Sequence, residues 1–69
     1  MRNKMLRYTQ SILEKVSFDR DLFLKEVQKA KRVLQAHEWS ALVEWLRDYV
    51  NDKPLLKHAL MATPALIAV

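Results

Sequence analysis

The chain contains no cysteine and no glycine, and only two prolines. Without thiols there is neither a disulfide framework nor a thiolate metal site, and the lack fits a reducing compartment. At an average usage of about 7%, roughly five glycines would be expected. Their absence removes the residue that best tolerates positive φ, so turns must run through ordinary residues or through Asn and Asp. This argues for helices joined by short polar links and against hairpins. It also excludes a glycine-rich phosphate loop of the usual kind. Long apolar runs are missing too. The most apolar stretch, Leu55 to Val69, is interrupted by Lys57, His58 and Pro64. It is too short to span a bilayer, which takes about 20 residues. No apolar segment follows Met1-Arg2-Asn3-Lys4, and residues 5–16 are amphipathic. No secretory signal is therefore expected, and the expected location is cytoplasmic.

What is present is a 69-residue chain with a net charge of +4. A domain this small buries only roughly 60% of its unfolded surface and is marginal as a monomer. With no disulfide and no metal site, it must gain stability from tight helix packing or from self-association. The charge is uneven. Residues 1–35 hold nine Lys or Arg against four Asp or Glu, a balance of +5, and residues 36–69 hold three against four, a balance of −1. A basic half of this kind suits an acidic protein, nucleic acid or another anionic surface, although a plainly solvated basic face is the simpler account.

The chain is organised around residues 19–50, which read as two amphipathic helices. Stepped at about 100° per residue, Leu22, Val33, Ala30, Phe23, Leu34 and Val27 fall within an arc of about 140°. Lys25, Lys29 and Arg32 share one flank of that helix as a basic stripe. In the following segment Trp39, Leu42, Val43, Leu46, Tyr49 and Val50 share one side. Trp45 sits at its edge, and Ser40, Glu44, Arg47 and Asp48 lie opposite. Upstream, Met5, Leu6, Tyr8, Ile12, Leu13 and Val16 fit one helical face. The expected fold is all-α, a single small bundle with helices near 5–16, 19–35, 38–50 and 54–62. The last is short and is followed by an apolar tail. Ser17 or Asp19 is expected to cap the second helix, with Phe18 stapled onto Phe23 or inserted beneath the first helix. The second and third helices, joined by a short link, are expected to be neighbours in space. Asn51 is expected to end the third helix, and Asp52 to cap the fourth ahead of Pro54.

Catalytic patterns are weak. His37-Glu38 resembles the start of a zinc-protease helix, but that motif needs a second histidine four residues on, and position 41 is alanine. No glutamate is followed by histidine at the spacing of di-metal bundles. No enzyme activity, cofactor, metal or small-molecule substrate is expected. Glu26 is the odd residue of the second helix because it falls inside the apolar arc. A carboxylate there must reach water, protonate or meet a cation, and Arg47 of the third helix is its expected partner. Helix-turn-helix base reading is not expected. The outward face of the third helix, with Ser40, Ala41, Glu44, Arg47 and Asp48, carries net negative charge against a phosphate array.

The tail from Pro64 to Val69 has no polar side chain. It can pack back over the core, continue into further structure, or dock on another chain. Together with Trp45 at its stripe edge and Leu24 on a polar side, Leu66, Ile67 and Val69 form the expected interface. The expected function is a non-enzymatic helical protein-interaction module, self-associating as a homodimer. The alternative is a nucleic-acid-associated accessory protein that binds phosphates through Lys25, Lys29 and Arg32.

Overall fold

A computed structural model describes residues 4–67, the side chains of Ala65 and Ile67 excepted. The elements run in the order α1 (Lys4–Lys15), α2 (Arg20–Val33), α3 (Ala36–Tyr49), a 3₁₀ turn (Val50–Asp52), α4 (Pro54–Met61) and α5 (Pro64–Ile67). No strand occurs among the described residues. The chain is a small all-α bundle, and no described residue adopts a positive φ.

Local chemistry explains each boundary. Ser17 closes α1, because its hydroxyl donates to the Glu14 carbonyl at 3.0 Å. Asp19 opens α2, with its carboxylate accepting the Leu22 N–H at 3.1 Å. Asp21 in the first turn and Lys31 and Arg32 in the last complement the helix dipole. Leu34 and Gln35 are both extended and form the whole link to α3. α3 starts at Ala36, earlier than residue 38, because Glu38 is its third residue. The Glu38 carboxylate reaches back to accept the Gln35 N–H at 3.1 Å.

Three expectations change at the connections. Asn51 and Asp52 lie within the 3₁₀ turn, and Lys53 occupies the position before α4. The Asp52 carboxylate accepts from the Lys53 ammonium at 3.0 Å instead of capping α4. Phe18 neither staples onto Phe23 nor inserts under α1; it is 82% exposed. Finally, α2 packs on α1, α4 and α5 rather than along α3. α2 and α3 meet at both ends, where the Phe23 and Tyr49 rings stack at 6.4 Å and the Lys31 ammonium lies 5.9 Å over the Trp39 ring.

The core runs through the middle of this arrangement. Leu13, Phe23, Val27, Leu42 and Leu46 are its largest fully buried side chains, each worth about 1.5–3 kcal/mol in transfer free energy. Leu56 and Leu60 of α4 and Leu66 of α5 close it from the side of α2. Pro64 opens α5 at a first-turn position, where its missing N–H costs nothing. The part of the tail that is described therefore packs back onto the core.

Candidate interaction surfaces

The residues expected to form an interface lie mostly in the packed body. Leu24 and Trp45 are half-buried and pack against the core. The Trp45 ring lies 4.7 Å from Tyr49 with an interplanar angle of 11°. The Lys53 ammonium sits 4.1 Å over the other partner of that stack, Tyr49. Trp45 is thus the outer leaf of an aromatic layer capped by a cation. Leu66 is only 6% exposed and belongs to the core. The Ile67 side chain and Val69 lie outside the described residues.

The expected pairing of Glu26 with Arg47 does not form. Glu26 is half-buried on the side of α2 turned toward α1. Arg47 is exposed on α3, beside a cleft shared with α4. Glu26 lines the cleft between α1 and α2 and Arg47 the one on the side of α3 and α4, so the two side chains border different clefts. The described ion pairs are Arg20 with Asp21 at 3.6 Å and Lys53 with Asp52 at 3.0 Å. The buried carboxylate is Glu38, which caps α3 from within the core edge. Its signal was its position three residues after Gln35, obscured because glutamine is not a favoured capping residue.

Lys25, Lys29 and Arg32 are all exposed, so the basic stripe of α2 faces solvent as its spacing implied. His37 and His58 are exposed as well. Among the described residues, no three His, Cys, Asp or Glu side chains gather in a metal-binding group. No described helix is long and apolar enough to cross a membrane. Asp52 has its carboxyl held below the usual aspartate value, first by the hydrogen bond from Lys53 and then by that ammonium's charge.

The surfaces that remain open are different ones. Between α1 and α2 runs a groove walled by Met5, Tyr8 and Ile12 on one side and by Glu26, Lys29 and Val33 on the other, with about 90 Å³ open within it. Met5, Tyr8 and Val33 are 45%, 61% and 54% exposed. At the end of the bundle near the α1–α2 turn, Ser17, Lys53, Pro54 and Leu55 line a shallow cleft. Leu55 is 76% exposed there, and the still more exposed Phe18 follows Ser17 in the chain. On the side of α3 and α4, Arg47 and Lys57 flank an apolar cleft formed by Val50, Leu60 and Met61. The helical period predicts Met5, Tyr8 and Val33 on core faces, and the structure leaves them exposed. Their only signal in the sequence was that the apolar arcs are wide, which does not reveal which edge goes uncovered. No family model, curated protein or solved structure matches this chain.

Proposed function

We propose that this protein is a non-enzymatic helical protein-interaction module that self-associates. The observation that carries the reading is the exposure of Phe18 and Leu55 at one end of a bundle whose core is already filled. Isolated apolar side chains on a surface are ordinary, but Leu55 in a cleft wall and Phe18 next in the chain to Ser17 of the same cleft offer association a start. The charges near that end are mixed. Asp19, Asp21 and Asp52 stand beside Arg20 and Lys53, so two copies can meet there without a large like-charge penalty. A two-fold dimer is the closed arrangement that uses the same patch twice. Apolar burial would contribute about 25 cal/mol per Å² before association costs.

The test is mass by light scattering over a concentration series, together with the melting temperature at each concentration. A self-associating chain gives a mass and a melting temperature that both rise with concentration, and Phe18→Asp returns it to monomer. A monomer at millimolar concentration with a fixed melting temperature overturns self-association. The second reading, phosphate binding by a nucleic-acid-associated protein, is supported by the exposure of Lys25, Lys29 and Arg32 along one side of α2. Added salt separates the two, because phosphate contacts weaken steeply with salt while apolar association holds or strengthens.

A further inference from the structure

We infer that the groove between α1 and α2 receives an amphipathic helix of another protein whose apolar stripe is flanked by acidic residues. The inference rests on the interaction-module reading and names a second partner for it. Each wall is a helical stripe. Met5, Tyr8 and Ile12 are spaced i, i+3 and i+7 on α1, and Glu26, Lys29 and Val33 repeat that spacing on α2. Two such stripes side by side form an open, partly apolar seat, and a helix with apolar residues at i, i+3, i+4 and i+7 can lie along it.

Charge selects among the helices that would fit. Lys4 lies four residues before Tyr8 and Lys15 three after Ile12, so both fall on the outer flank of the α1 wall. Lys25 and Arg32 bracket Lys29 in the same way on α2. All five cations are exposed, and the acid inside the groove is Glu26 alone. Asp21, at the start of α2, is paired with Arg20 at 3.6 Å. An occupant with carboxylates along both edges of its stripe therefore meets cations on both sides. A second copy docking groove to groove would set these cations against each other. A nucleic acid would satisfy the cations but leave Met5, Tyr8 and Val33 facing solvent. Glu26 is half-buried and makes no ion pair among the described residues. It asks for one donor within the otherwise apolar stripe of the occupant, which would set the register of docking.

The experiment titrates the full chain into a fluorescein-labelled designed peptide of about five helical turns, roughly 18 residues. The peptide carries leucines on one stripe, one lysine among them, and glutamates on both flanks, and fluorescence anisotropy reports binding. A companion peptide has lysines in place of the glutamates, and a DNA duplex serves as the third ligand. The glutamate peptide is expected to bind at least about tenfold more tightly than the lysine peptide, with affinity falling as salt rises. Tyr8→Glu and Val33→Glu should each weaken it by about tenfold or more at unchanged helical circular dichroism. Tyr8→Ser repeats the test without adding a charge. Equal binding of the two peptides, indifference to the groove substitutions, or preference for the duplex overturns the inference. If no peptide binds while light scattering reports a dimer, the inference falls and the module reading stands. If no peptide binds and the chain is monomeric, both fall.

Discussion

α1 and α3 are similar helices with different fates. α1 has 12 residues and α3 has 14, and both are amphipathic. α3 buries Trp39, Leu42, Val43 and Leu46, and sinks the Glu38 carboxylate at its start. α1 buries Leu6 and Leu13 and leaves Met5 and Tyr8 open. The difference lies in what the rest of the chain brings to each. α3 lies against α1 and runs directly into the 3₁₀ turn, and the stacked Trp45, Tyr49 and Phe23 rings shield its end. Among the described residues α1 has α2 and α3 as its main neighbours, and Met5 and Tyr8 on the groove wall remain exposed. An apolar face states how much surface a helix offers for burial. It does not state how much the same chain supplies to cover it.

The largest effect expected to separate the two helices is in the core. Leu42 is fully buried on α3, and Leu42→Ala should lower stability by about 2–5 kcal/mol. Chemical denaturation measures it, and a cost below about 1 kcal/mol would mean that α3 is not the packed partner in this comparison.

Next come the two carboxylates that start helices. Glu38→Ala removes the acceptor for the Gln35 N–H, and Asp19→Ala removes the acceptor for the Leu22 N–H. Each should cost about 1 kcal/mol, and Glu38→Gln should recover much of the first loss because an amide oxygen can accept the same bond. Glu26→Ala should cost less than Glu38→Ala, since Glu26 caps no helix and has no described ion pair. The reverse order in urea unfolding would restore Glu26 as the structural carboxylate.

On the open side, Tyr8 is 61% exposed, and Tyr8→Ala should change stability by no more than about 0.5 kcal/mol. A loss comparable with that of Leu42→Ala would show that the α1 wall is covered within the chain, and the contrast between α1 and α3 would disappear.

The smallest effect expected is the pH response of Asp52. Its carboxyl titrates below the usual aspartate value because Lys53 donates to it and attracts its charge. The folded value lies below the unfolded one. The contact therefore supports folding in full above the usual aspartate value, and that support is lost as pH falls through the lowered one. Nuclear magnetic resonance of the Asp52 side chain should place its midpoint below that of an aspartate in a peptide. A midpoint at the peptide value would break the Lys53 contact and loosen the cation over Tyr49 with it.

The helices themselves were legible in the sequence because their causes are local. Hydrophobic period, the Asp19 cap and the position of Pro54 act within one or two turns, and the missing glycines exclude the turns that need positive φ. The buried apolar set of α3, Trp39, Leu42, Val43 and Leu46, could be read from the helical period for the same reason. Tertiary structure alone decided which edges of the wide apolar faces are covered. Leu24, Trp45 and Leu66 were drawn into the packed body, while Tyr8, Val33 and the turn residue Phe18 stayed open, and local spacing gives no sign of it. It also decided that Glu38 is buried and that Glu26 and Arg47 border separate clefts. These outcomes depend on how segments far apart in the chain are placed against one another. That placement is set by the sum of many contacts across the core, and no single helix carries a record of it.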